Sequence, residues 1–338
     1  MTYIPLEHYL LVFILDNAVQ VLLVTVVVYL ATLALTILIL RIGIRLGIVG
    51  KDVHKSWNSY AVRIGGLSLI IAPLIALIIK PSIVTLTLLL VSILAMVIGL
   101  IDDLRTLPAV RKVLLSITPG VIHMILGLYE PRLFIPFLGD IGARILYIFL
   151  IPLAYAVALN AANMMDTHNG LLAGSILVSL AVLSPLLILR SPDHEVMLFI
   201  LSAIEASIAA FLILNIYPAR VFVGNAGSFI IGSWIAFIGI YGRSEFLVVM
   251  ALFPMIINGF SIITSIGGLK EKSLIKTRPV SVENGVIRAN PDPKAPITIA
   301  HIAASSRSGV REVELVIGVW ILFYIASTIA VALFSIAS

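Results

Sequence analysis

Long apolar runs separated by short polar connections make up almost the whole chain. Runs long enough, or nearly long enough, to cross a bilayer as helices cover residues 10–40, 64–79, 83–101, 113–129 and 145–159. Five more cover 171–189, 196–216, 229–241, 246–266 and 313–336. None alternates apolar with polar positions as a barrel strand does, so helices must satisfy the backbone polar groups in hydrocarbon. The expected fold is all-α: a polytopic membrane protein of about ten transmembrane helices. The second and eighth runs fall short of ~20 residues and must borrow flanking Gly and Ser. The first is far longer than the apolar core of a cleaved leader and is expected to remain as the first helix. No internal repeat supports an inverted-repeat transporter. The longest polar stretch, 268–312, reads as an ordered loop over one membrane face of a single catalytic domain spanning 1–338.

Composition agrees with the pattern. Of 338 residues 61% are hydrophobic and 12% charged, and the mean hydropathy of +1.16 excludes a soluble globular chain. The absence of cysteine excludes disulfides, thiolate metal sites and cysteine nucleophiles, so any metal must be held by oxygen or imidazole. Orientation follows from the basic residues, which stay on the cytoplasmic side. With an external N-terminus, 17 of the 22 Lys and Arg fall in cytoplasmic loops, and both termini are then external. The net charge of +5 accordingly points to topology, anionic headgroups and phosphates, and not to nucleic acid.

This topology gathers the unusual polar segments on one face. Asp52, His54 and Lys55 lie in the first cytoplasmic loop, and Asp102, Asp103 and Arg105 end the third helix. Asn160 to Gly170 ends the fifth, and Gly224, Asn225, Gly227 and Ser228 open the eighth. Adjacent carboxylates repel each other unless a cation intervenes; the plain alternative is a helix end solvated at the interface. Asn160, Asn163 and Asp166 recur every third residue and share one helical stripe. Three such oxygens suit a hard cation with retained water, or the hydroxyls and phosphates of a nucleotide. Amide stripes also glue membrane helices together, a role from which Asp166 gains nothing. Small residues at 224–228 open a helix N-terminus, where free N–H groups favour an anionic ligand; the alternative is a close helix contact. His54 and His168 lie in these loops without the spacing of a zinc site. Lys55, Lys112 and Arg278 are candidates for phosphate contacts, with topology anchoring as the bland alternative.

With these residues assembled, the chain resembles the polyprenyl-phosphate N-acetylhexosamine-1-phosphate transferase superfamily along nearly its full length. Asp52, Lys55, Gly65 and Gly66 match an Asp-x-x-Lys segment followed by Gly-Gly, and Asp102 and Asp103 match the family's aspartate pair. Lys112 stands where the eukaryotic-type enzymes carry a lysine, nine positions after the second aspartate. Asn160, Asn163, Asp166, Gly170 and Leu171 follow the next motif, with Thr167 replacing its first glycine and Asn169 as in the eukaryotic branch. The main departure is Asn225, where the Phe-x-Gly-Asp motif carries the metal-binding aspartate. An amide oxygen ligates magnesium more weakly. In the last loop, Arg278-Pro279 and Asn284-Gly285 loosely resemble segments of the dolichyl-phosphate branch.

The resemblance implies transfer of a sugar-1-phosphate, with UDP-N-acetylglucosamine the favoured donor, to a membrane polyprenyl or dolichyl phosphate, releasing UMP. It implies Mg2+, with Mn2+ as a substitute, resting mainly on Asp166 and Asn225. It casts Asp102, Asp103, Lys55 and Lys112 as catalytic, and Asp52, Asn160, Asn163, Asn169, Gly224 and Arg278 as substrate-binding. It further implies a multi-pass protein of the cell membrane with its active site facing the cytoplasm, a homodimer, and, from the Ile- and Val-rich helices, an archaeal source. The rival readings are another UDP-sugar as donor, a lipid or ion transporter, and an inactive scaffold, the last resting on Asn225.

Overall fold

The computed structural model describes residues 12–337 except 14, 56, 143, 271–273 and 307. The beginning of the first apolar run and the basic residues Lys272 and Arg307 therefore lie outside the described residues. Helices α1 (Ala18–Arg45), α2 (Ile71–Ile79), α3 (Ile83–Leu104), α4 (Ala109–Ser116) and α5 (Thr118–Ile125) form the first half. A 3-10 helix, Gly65–Ile70, leads into α2. The second half holds α6 (Arg144–Met165), α7 (Leu171–Arg190), α8 (His194–Asn215), α9 (Gly224–Tyr241), α10 (Glu245–Ala251) and α11 (Phe253–Ser265). The short α12 (Ile299–Ala303) and the long α13 (Glu312–Ala337) complete the chain. The described strands form three two-stranded antiparallel hairpins, β1–β2 (49–51, 60–62), β3–β4 (132–135, 139–142) and β5–β6 (280–283, 286–289).

Every one of the ten apolar runs is met by helix, but among the described residues seven single helices are long and apolar enough to span a membrane. An eighth span exists if α10 and α11, bent by 68°, count as one. The second run is divided between a 3-10 turn and the short α2. The fourth breaks at Ile117–Pro119, since proline is welcome in a first helical turn and not in an interior.

α9 is the hub. Sixteen of its residues are buried, from Ala226 to Tyr241, because Gly, Ser and Ala let its neighbours approach closely. It packs on α3 and on α6. A Cβ on Gly232 would stand 2.6 Å from Leu159 Cα of α6, and one on Gly99 of α3 would stand 2.6 Å from Ala226 Cα. These approaches bring the ends of α3 and α6 to the start of α9. α1 and α13 lie at the periphery with exposed apolar faces such as Val19, Leu22, Ile321 and Ile325, as lipid contact requires.

The described ends of the chain share the end of the bundle opposite these polar segments. Phe13 meets His194 at the start of α8, and Phe334 meets the Arg190 guanidinium at the end of α7. That end is tied by Lys80–Glu195 at 2.6 Å, Arg243–Glu130 at 2.8 Å and Tyr147 donating to Glu245 at 2.7 Å.

The stretch 268–312 carries β5–β6, whose Asn284-Gly285 turn has both residues at positive φ, as a tight hairpin turn needs. With α12 it builds a small apolar cluster of Val280, Ile287, Ala300, Ala304 and Leu315. Asn284 and Gly285 are both exposed at the hairpin tip, so their Asn-Gly pairing is explained by the turn.

Candidate active site

The convergence of α3, α6 and α9 sets one half of the site. Asp102 Oδ2 takes the Lys112 ammonium at 2.7 Å and the Asn225 amide N–H at 2.8 Å, while Oδ1 accepts the Leu107 backbone N–H at 2.8 Å. Lys112 also donates to Asn163 Oδ1 at 2.8 Å. Asn163 Nδ2 in turn donates to Asn225 Oδ1 at 2.6 Å and to Ser228 Oγ at 3.0 Å. Asp102, Lys112, Asn163 and Asn225 thus close a ring drawn from four different helices. Asp102 is buried, which makes the nearby ammonium a requirement: an ionised carboxylate out of water needs a partner.

The other half forms around the β1–β2 loop. Asp52 N bonds Ser59 O at 2.8 Å, continuing the hairpin, and β2 is tied to the approach to α9 by Val62 N to Arg220 O at 3.0 Å. Lys55, its side chain 1% exposed, is held by Asp52 at 3.2 Å, by Glu312 at the start of α13, and by the Tyr217 ring, 3.9 Å from ammonium to centroid. Asn169 donates its amide to Asp52 Oδ2 at 2.9 Å and its backbone N–H to Glu312 Oε1 at 3.1 Å. The His54 and His168 rings stack beside this group at 4.2 Å. Burial lowers the pKa of both imidazoles. Asp52 opposes the shift at His54, whereas Lys55 and Arg278 reinforce it; at His168, His54 and Lys55 reinforce it. The segment 163–169 joins the two halves.

Several of the motif residues also make contacts within the protein. Asp103 accepts the backbone N–H of Asn225 and of Ala226, both at 3.1 Å, so a carboxylate of the protein itself fills the N-terminus of α9 expected to await an anionic ligand. Gly224 enters this helix at φ +68°, and a Cβ there would stand 3.2 Å from Asp103 Oδ2; its role is backbone geometry. Asn160 spends its amide on Ser116 Oγ and Ala156 O, both at 2.8 Å, which is the helix-tying alternative. Lys55 is engaged by two carboxylates and a ring. Arg278 is exposed, its carbonyl accepting from Asn290 at 3.0 Å, with its charge felt at His54. Asp166 is half-buried one turn past Asn163, its N–H bonded to Ala162 O at 3.1 Å.

The donor set bears on a metal. Among the described residues no three His, Asp or Glu side chains converge to hold an ion. The carboxylate and amide oxygens of Asp102, Asn163, Asp166 and Asn225 are of the type that suits magnesium, an ion that takes one or two carboxylates and completes its shell with water and substrate phosphate. They do not fit zinc, which wants three or four nitrogen or sulfur ligands.

A family model described as Glycosyl transferase family 4 matches residues 85–243, from the first turn of α3 to just past α9. A Saccharolobus solfataricus protein, provisionally named a UDP-N-acetylglucosamine–dolichyl-phosphate N-acetylglucosaminephosphotransferase, is 32% identical over 231 residues, 66% of this chain and 71% of the relative. The chain belongs to glycosyl transferase family 4. A Sulfolobus acidocaldarius protein with the same provisional name is 30% identical over 256 residues, 72% of this chain and 78% of the relative. The phospho-N-acetylmuramoyl-pentapeptide-transferase of Dictyoglomus thermophilum is 29% identical over a shorter stretch, 48% of this chain and 55% of the relative.

The family match contains the whole Asp102–Lys112–Asn163–Asn225 ring. Asp52, Lys55 and Glu312 lie outside the matched range, on its two flanks. Glu312 was not legible as a site residue, although one signal was present: it is an acid standing where a polar loop becomes an apolar run, as Asp102 does in reverse. Tyr217 was missed for a different reason, since nothing in its local pattern shows that its ring meets the Lys55 ammonium.

Proposed function

We propose that this chain transfers N-acetylglucosamine-1-phosphate from UDP-N-acetylglucosamine to a membrane polyprenyl or dolichyl phosphate, releasing UMP. The reading rests on one observation: the Lys112 ammonium is shared between the Asp102 carboxylate and the Asn163 amide beside Asn225, at the meeting point of four helix ends. The provisional names of the Saccharolobus and Sulfolobus relatives supply the substrates. The excess of Lys and Arg in the loops at this end of the bundle supports a cytoplasmic setting for it, the side on which UDP-sugars are made available.

The difficulty in the reaction is bringing two anions together. A lipid phosphate oxygen attacks the sugar-bearing phosphorus of the donor; the anhydride P–O bond breaks and UMP leaves with its electron pair. The acceptor phosphate is already largely ionised near neutral pH, so direct attack needs no covalent enzyme intermediate. Lys112 is the positive group placed to meet the reacting phosphates, and Asp102 holds it in position and orients the acceptor. Asn169 and the Asp52–Lys55–Glu312 group shape the nucleotide half. Asn225, Asp166 and Asn163 would hold magnesium, which when bound would neutralise charge on the donor's phosphates.

Full-length protein in detergent, given a panel of UDP-sugars and polyprenyl phosphates, is expected to release UMP fastest with UDP-N-acetylglucosamine. Release with no UDP-sugar of the panel overturns the reading, and a clear preference for another sugar changes the donor. Asn225 offers a second measurement. Its Nδ2 donates to Asp102, so Asn225→Asp sets two carboxylates at hydrogen-bond distance and makes a cation necessary between them. The variant is expected to lose more activity than the parent on chelation and to half-saturate at lower Mg2+. A superimposable magnesium titration shows that this position does not touch the metal.

A further inference from the structure

From the buried contacts of the last helix we infer that Glu312 is a positioning residue for donor binding, acting through Lys55 and Asn169. The inference rests on the proposed transfer reaction and goes beyond it, because it assigns a function to the first residue of α13, far in sequence from the motif segments. Glu312 is 4% exposed and both of its oxygens are used. Oε2 meets the Lys55 ammonium, and Oε1 accepts the Asn169 backbone N–H.

The bonding pattern assigns the consequence. Asn169 has two fixed donors: its backbone N–H on Glu312 and its side-chain amide on Asp52. Lys55 bridges those same two carboxylates. The result is a closed set of four groups in which each carboxylate meets both Lys55 and Asn169. With the backbone N–H and one amide N–H committed, the plane of the amide is set, and its oxygen Oδ1 and second N–H are what Asn169 has left to offer a ligand. Without Glu312, Lys55 keeps one carboxylate and the turn after α6 loses the bond that fixes residue 169. Asp52 alone cannot restore it, since its Oδ1 already accepts the His54 N–H at 3.2 Å. None of the hydrogen bonds of the Asp102–Lys112–Asn163–Asn225 ring involves Glu312, so the reacting half is left intact.

A general structural strut would affect every substrate and the melting temperature alike. A positioning residue of the nucleotide half changes the donor alone. Three forms of the full-length protein decide the matter: the parent, Glu312→Gln and Glu312→Asp. Glu312→Gln keeps the shape, removes the charge, and can turn an N–H toward the Lys55 ammonium. It is expected to raise KM for the UDP-sugar about tenfold, with kcat and KM for polyprenyl phosphate within about twofold of the parent. Glu312→Asp retains the charge on a shorter stem and is expected to recover part of the loss. Melting in detergent with and without UMP provides a readout independent of turnover, in which the UMP-induced stabilisation shrinks in Glu312→Gln while the ligand-free midpoint is retained. Parental KM and parental UMP stabilisation in Glu312→Gln overturn the inference while leaving the transfer reaction standing. So does a loss shared equally by both substrates together with a lowered ligand-free midpoint. If the parent itself transfers no sugar phosphate, the functional reading fails first, and this inference fails with it.

Discussion

Asp102→Asn is expected to lower the rate of sugar-phosphate transfer by about 10^3-fold, the range seen when a charge-placing group is removed from a preorganised site. The substitution changes little in volume, so the protein should melt near the parental temperature. What it removes is specific. Asp102 Oδ2 receives two donors, the Lys112 ammonium and the Asn225 amide, while Oδ1 receives the Leu107 N–H. An asparagine that keeps its oxygen toward Leu107 must turn its own NH2 on Lys112 and Asn225. If it flips, it loses the Leu107 bond and still leaves Lys112 without an anion. Asp103→Asn is the comparison. Its carboxylate accepts two backbone N–H groups at the start of α9, and an amide oxygen can keep one of them. The expected cost is stability, about 1–3 kcal/mol for a charged acceptor lost from a partly buried helix end, and not the chemical step. Activity of Asp102→Asn within tenfold of the parent, or an equal loss of kcat in Asp103→Asn at an unchanged midpoint, would refute this division of labour between the two aspartates.

The adjacent aspartates also show how far the sequence could be read. Their position after an apolar run marks both as expensive and hence purposeful, and hydropathy alone places them at one membrane face with Asn163 and Asn225. It cannot tell which of the two turns toward Lys112 and which toward the helix N-terminus, because neighbouring residues on a helix differ by about 100° and only the packing of α3 on α9 sets the rotation. The repeat of Asn160, Asn163 and Asp166 was legible as a stripe, yet its first member faces Ser116 on α4 and does not join the ring. A stripe that crosses from a helix contact into a pocket carries no local mark of where the change occurs. The second and fourth runs were apolar enough to be expected as spans, but Ile117–Pro119 and the 3-10 turn at Gly65–Ile70 divide them, and backbone breaks of that kind register weakly in hydropathy. Glu312 lay hidden for a related reason: its partners Lys55 and Asn169 are 257 and 143 positions away.

Gly227→Val is expected to abolish measurable transfer and to lower the melting temperature together. Gly227 sits one turn into α9, against Gly66 of the 3-10 helix. A Cβ on Gly227 would lie 2.7 Å from Gly66 Cα and 2.8 Å from Val223 Cγ1, well inside contact distance. The facing backbone has little freedom to retreat, since Ser68 Oγ donates to Gly65 O at 3.0 Å and receives Thr36 Oγ1 of α1 at 2.8 Å. The strain must therefore move the start of α9, and with it Asn225, two residues away, whose N–H and amide meet Asp103 and Asp102. Overpacking of this kind costs about 1–3 kcal/mol or more, and displacement of reacting groups by about 1 Å costs about 10^2-fold in rate. Gly318 provides the control: it lies on exposed α13 and a Cβ there meets nothing within 4 Å, so Gly318→Val should retain parental activity and midpoint. If Gly227→Val matched it in both measurements, the packing of α9 on the Gly65-Gly66 turn could not be what holds Asn225 against the aspartates.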